Sequence, residues 1–100
     1  PKREELSNRY VEALIELARC HEARGAFEEA VDWYREALEQ DELREDIHRR
    51  IMRAYAQMGR RSDALAQYRA CRDTLKRELN VEPSQETKKL YREVAGRMPS

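Results

Sequence analysis

The sequence predicts an all-α fold: a right-handed helical solenoid of about five helices, arranged as two helix–turn–helix repeats plus a C-terminal capping helix. Three observations lead there. The 100 residues include 40% charged side chains but only three glycines and three prolines, a composition that favours helices and supplies few turns. No alternating β-branched run reads as a strand. A sparse pattern also recurs, since "GAFEEAVDWY" at Gly25–Tyr34 and "GRRSDALAQY" at Gly59–Tyr68 share Gly, Ala and Tyr in register.

Apolar residues at helical spacing mark five elements in turn. Leu6, Tyr10, Leu14, Leu17 and His21 define a first helix that ends before Gly25. Phe27, Ala30, Val31, Tyr34, Ala37 and Leu38 define the second. A third stripe, Leu43, Ile47, Ile51, Ala54, Tyr55 and Met58, stops at Gly59. The fourth helix has Ala64, Leu65, Tyr68, Cys71, Leu75 and Leu79, and the fifth has Leu90, Tyr91, Val94 and Met98. Gly25 and Gly59 suit positive φ, so each ends a helix and turns the chain tightly. Asp41 and Ser62 are placed to N-cap the third and fourth helices, with Glu42 adding negative charge beside Asp41. Asn80 suits the left-handed conformation, with Val81 folding back on Leu75. Pro83 blocks further helix, and Ser84 caps the fifth.

Sliding the chain until Gly25 meets Gly59 also superposes Leu17 on Ile51, Arg19 on Arg53, Ala30 on Ala64, Tyr34 on Tyr68 and Ala37 on Cys71. A period of about 34 residues, with small residues on the second helix, is the tetratricopeptide signature. One such repeat cannot bury both of its faces, so neighbours must stack into a shared core. The fifth helix then reads as a cap or as the first half of a third repeat.

Formal net charge is zero, which argues against a dedicated nucleic-acid binder. The balance is uneven, however: residues 1–45 hold 7 Lys/Arg against 13 Asp/Glu, and residues 46–100 hold 13 against 7. Opposed halves attract each other or guide partners. No signal-peptide pattern or membrane-length apolar run is present, and Cys20 and Cys71 make no disulfide framework. A reducing, cytoplasmic setting is therefore expected, with no membrane partner. The start at Pro1 without methionine suggests a trimmed product or one domain, residues 1–100, of a larger protein.

From Leu38 onward the chain resembles the bacterial transcriptional activator domain, a tetratricopeptide-like module of antibiotic-regulatory-type transcriptional regulators. The matching residues include Asp41, Leu43, Arg44, Glu45, His48, Arg53, Gly59, Arg60, Arg61, Ala64, Leu65 and Tyr68. They continue with Arg72, Leu75, Glu78, Leu79, Val81, Glu82, Pro83, Ser84, Glu86, Thr87, Leu90 and Tyr91. Upstream, "RYVEALIELARCHEARGAFEEA" is similar to the family's first helix pair. Glu42 replaces a usual proline and Asn80 a usual glycine, and neither change threatens the fold. The resemblance implies a regulator in which a winged-helix domain, absent from these residues, contacts DNA. This module would then be the protein-interaction or dimerisation half. Its expected partners are its own DNA-binding domain, a second copy or the transcription machinery.

Tetratricopeptide modules bind along the face made by each repeat's first helix. The register places Glu12, Ile15, Arg19, Glu22 and Ala23 there, followed by Asp46, Arg49, Arg53, Ala56 and Gln57. Arg19 and Arg53 occupy equivalent positions, so both guanidinium groups are expected in one groove, gripping a carboxylate. The structural repeat itself rests on Gly25, Ala30, Tyr34, Gly59, Ala64 and Tyr68. The open end faces, at Leu6, Tyr10, Leu90, Tyr91 and Val94, are candidates for a missing domain or a homodimer. Two alternatives remain: a nucleic-acid element using the basic half around "HRRIMRAY", and a ligand-sensing pocket between repeats. His48 reads as a structural histidine bonding a neighbouring helix, and Cys71 as a packing group. Cys20 and His21, adjacent on a helix, point ~100° apart and make poor metal ligands. No phosphate-cradling loop and no activated nucleophile is visible, so neither catalysis nor a cofactor is expected.

Overall fold

The computed structural model describes residues 2–96, with side chains from Leu6 onward. Five helices follow one another: α1 (Lys2–Ala23), α2 (Phe27–Gln40), α3 (Glu45–Gln57), α4 (Arg61–Leu79) and α5 (Gln85–Gly96). No strand occurs among the described residues. Sequential helices pack on each other, and α5 also returns to α3. The result is a slab of 51 × 37 × 16 Å, thin enough that most helices keep a face in solvent.

The two hairpin turns are built alike. Gly25 and Gly59 have φ of 76° and 72°, a region that costs a residue with a Cβ about 1–2 kcal/mol. After each glycine the chain closes the same loop. The Ala26 amide donates to the His21 carbonyl at 2.8 Å, and the Arg60 amide donates to the Tyr55 carbonyl at 2.8 Å. Both bonds are the six-to-one link of a Schellman motif. Asn80 ends α4 in the left-handed region at φ 54°, with the Val81 amide on the Leu75 carbonyl at 3.5 Å.

Two expected caps are absent. Neither α3 nor α4 has a side-chain N-cap, and Arg44 and Arg60 stand at those positions. Asp41 ends α2 instead, because a turn at Glu42–Leu43 delays α3 to Glu45. Arg60 pairs with Asp63 at 2.7 Å across the first turn of α4, where a carboxylate offsets the helix's positive end. The Ser84 cap is present: its Oγ accepts from the Thr87 amide at 3.3 Å.

One apolar core runs through the slab. Ala30, Tyr34 and Ala37 of α2 are buried, as are Ala64, Tyr68 and Cys71 of α4. Small residues let the paired helices approach closely while each tyrosine fills the space beyond. The Tyr34 hydroxyl donates to Glu22 at 2.5 Å, and burial together with that bond pushes its pKa up to about 12. Tyr68 stacks on Tyr91 of α5 with ring centroids 4.2 Å apart. The C-terminal end is therefore more closed than expected. Val94 is fully buried and Tyr91 is half-buried, because α5 folds back onto both α3 and α4. Met98, the last member of the fifth stripe, lies outside the described residues.

Candidate functional site: the faces of α3 and α1

Charged residues in the first turn and a half of α3 lock it to α5. The Glu45 carboxylate accepts from the Ser84 amide at 2.9 Å and from the Thr87 hydroxyl at 2.7 Å. Arg49 donates to the Thr87 hydroxyl at 2.9 Å and pairs with Glu86 at 3.5 Å. Thr87 itself is buried. Burial alone would raise the Glu45 pKa, but the bonds from Thr87 and Ser84 outweigh it and hold the carboxyl below its ordinary value. The "PSQET" stretch thus acts as a docking strap: Pro83 is buried, Ser84 caps the helix, and Glu86 and Thr87 hold Arg49.

Two further links fasten the start of α3. Gln67 of α4 donates from Nε2 to His48 Nδ1 at 2.8 Å, and His48 Nε2–H donates to the Glu42 carbonyl at 3.0 Å. This pair of bonds requires the neutral ring with its proton on Nε2. Burial pushes the His48 pKa down, which favours that form. Arg44 grips Asp46 with two nitrogens, at 2.9 and 2.8 Å, and reaches Glu12 of α1 at 3.1 Å. The bond from Arg44 holds the Asp46 carboxyl below its ordinary range.

These bonds change the predicted groove. Ile15 is buried in the core and presents nothing to a partner. Glu12 is paired with Arg44, and Glu22 accepts the Tyr34 hydroxyl. Arg49, only 13% exposed at its side chain, is a strap between helices. Of the candidates, Arg19, Ala23, Arg53 and Gln57 are exposed, as is the paired Glu12, and neither Arg19 nor Arg53 forms an ion pair among the described residues. Arg53 and Gln57 border two clefts on either side of α3. One is completed by Glu22, Phe27, Arg50 and Ala54, and the other by Ala56, Leu90, Glu93 and Val94. Arg19 borders neither. From α1 it is Glu22, about one turn farther along, that borders the first cleft beside Arg53.

Other candidates fall to packing. Cys71 is buried and its thiol is pushed up to about 12 by that burial, which leaves it unreactive. His21 bonds the Leu17 carbonyl at 2.8 Å and lies beside Trp33. Among the described residues, no cluster of three metal-ligating side chains occurs and no helix is long and apolar enough to cross a membrane. Gln67 and Thr87 escape a reading of the sequence, because buried polar residues look there like ordinary helix surface.

The other conspicuous face belongs to α1. Leu6 is 64% exposed, Tyr10 44% and Leu17 42%, and Ala13 and Cys20 are exposed between and beyond them. These five fall at alternating spacings of four and three, so they form one stripe along the helix. Leu79 and Val81, at the end of α4, are also exposed.

A comparison with curated proteins found no match. A family model described as Bacterial transcriptional activator domain matches residues 1–95. That match runs along nearly the whole chain, and the protein belongs to the bacterial transcriptional activator domain family.

Proposed function

We propose that this chain is one interaction module, residues 1–100, of a cytoplasmic bacterial regulator whose DNA-binding winged helix lies in another part of the same protein. It works by protein contact and not by catalysis. The observation that carries this reading is the solvent face of α3. Arg53 and Gln57 stand between two clefts, with Arg50 beside them and no carboxylate paired to Arg53 among the described residues. A guanidinium presented beside small recesses of mixed polar and apolar lining suits a partner segment that offers a carboxylate. Family membership supports a role in transcriptional activation. The zero net charge and the occupation of Arg49 by Thr87 and Glu86 weigh against direct DNA contact by "HRRIMRAY".

The test uses a fluorescein-labelled acidic peptide, rich in Asp, Glu and Leu, followed by anisotropy, with a duplex DNA in parallel. Binding of the peptide is expected to weaken at least tenfold in Arg53→Glu, about 1.4 kcal/mol, with an unchanged melting temperature. A peptide that binds wild type and variant alike, or duplex DNA that shifts the chain at low salt, would sink this reading.

A further inference from the structure

We propose that the outer stripe of α1 pairs with α1 of a second copy, antiparallel, about a two-fold axis between residues 11 and 12. This deepens the interaction-module reading by naming a partner, but it uses a surface separate from the α3 clefts. A two-fold contact must be self-complementary, each residue meeting its counterpart in both directions. The stripe meets that demand. With the axis so placed, Leu6 lies opposite the second copy's Leu17, and Tyr10 opposite the second copy's Ala13. Each pair occurs twice. The large–small match at Tyr10 and Ala13 lets the helices come close where they cross.

Charge selects this register. Arg9 and Glu16 are exposed and lie along one edge of the stripe, each one position before an apolar residue, Tyr10 and Leu17. In the antiparallel pair Arg9 of one copy comes beside Glu16 of the other, again twice. Sliding the pair by one heptad sets Glu16 beside Glu16 and opposes Tyr10 with Cys20, which is worse on both counts. The stripe's other edge is α2, where Glu36 accepts the Tyr10 hydroxyl at 2.8 Å and, with Glu29 and Asp32, borders a recess with His21 and Trp33. Two such acidic ridges repel, so contact through α2 is disfavoured and the helices meet along α1.

The repeat supplies a second argument. In the register that sets Gly25 on Gly59, Ala13, Leu17, Cys20 and His21 correspond to Ile47, Ile51, Ala54 and Tyr55. All four of the latter are buried, on a helix packed between neighbours. The second half of the stripe, Ala13, Leu17 and Cys20, therefore sits where a repeat receives a neighbouring helix, whereas Leu6 and Tyr10 correspond to Gln40 and Arg44, before α3 begins. A single helix pair falls below the ~1,200 Å² typical of stable complexes, so the association is weak and concentration-dependent.

Cross-linking reads the geometry directly. In a Cys20→Ser background, Leu6→Cys and Leu17→Cys chains are oxidised separately and as a mixture. Positions 6 and 17 of one helix lie about 16 Å apart at ~1.5 Å per residue. Like thiols therefore cannot meet, whereas position 6 of one copy faces position 17 of the other. Disulfide dimers are expected only in the mixture, with Cys71 inert in the core. Sedimentation gives the second readout: Arg9→Glu is expected to weaken association at least tenfold, and Arg9→Glu with Glu16→Arg to restore it. Circular dichroism is expected to stay unchanged, since both side chains are exposed. A strict monomer up to about 1 mM, far above the range of specific complexes, or like-with-like disulfides as abundant as mixed ones, would overturn the pairing. Peptide binding at Arg53 is a separate measurement on the same variants, so failure of one proposal is distinguishable from failure of the other.

Discussion

α1 and α3 are the same helix of the repeat in two settings. Leu17 and Ile51 hold equivalent positions, yet Leu17 is 42% exposed and Ile51 is wholly buried. The cause is what stands beside them. α3 has α2 on one side and α4 and α5 on the other, whereas α1 packs mainly on α2. Leu14 and His48 are also equivalent. Leucine fills its place with apolar contact alone, but the histidine needs Gln67 and the Glu42 carbonyl to satisfy both ring nitrogens. Ile15 and Arg49 diverge further, one in the core and the other strapping α5. α3 can carry polar groups at inner positions because neighbours on three sides supply partners, while α1, packed mainly on α2, fills the equivalent places with hydrocarbon.

The largest expected effect breaks this comparison at its buried member. Ile51→Ala is expected to destabilise the fold by about 2–5 kcal/mol, the range for large-to-small core changes. Leu17→Ala should cost less than about 1 kcal/mol, as half-exposed positions do. Urea denaturation of both variants gives the contrast, and equal losses would refute the claim that only one is enclosed. Next comes Arg49→Ala, which leaves Thr87 and Glu45 with fewer partners in a partly buried place and is expected to cost about 1–3 kcal/mol. Amide hydrogen exchange should accelerate in α5 before α1 or α2, because the strap joins only α3 and α5.

Smaller effects follow at the turns and at His48. Ala in place of Gly25 or Gly59 meets no clash with neighbouring atoms but must hold positive φ, so each is expected to cost about 1–2 kcal/mol. The two losses should be alike in thermal melts, since the turns are. The last expectation concerns pH. Burial holds the His48 pKa below its ordinary 6.5, so the unfolded chain takes up a proton that the folded chain refuses. Stability should therefore fall as pH drops below about 6.5 and level off below the folded value. His48→Leu, which copies Leu14, should flatten this slope between about pH 7 and 5. An unchanged slope would show that the imidazole is not the titrating group.

Much of the fold is legible in the sequence because its signals are local. Positive φ at Gly25, Gly59 and Asn80 follows from residue type within a single turn, and the register that sets Gly25 on Gly59 locates the buried Tyr34 and Tyr68. The caps expected at Asp41 and Ser62 fail because a capping residue also needs a helix that starts beside it. Here Arg44 and Arg60 engage nearby carboxylates at the helix starts instead. Arg49 is hidden for a longer-range reason. α3 starts at Glu45 and α5 at Gln85, a wider interval than the one between the two glycine turns, so Thr87 does not land where a third repeat would place it. The repeat's register could not anticipate what Arg49 would meet.

Apolar spacing and turn chemistry, both readable over a few helical turns, determined five helices, their order and most of the core. Only the folded chain decided which arginines are occupied and which face solvent. Arg49 and Thr87 are far apart along the sequence, and their meeting depends on how α5 settles against α3. A charged side chain's role is set by the groups that packing brings within about 3 Å of it, and that proximity is a property of tertiary structure.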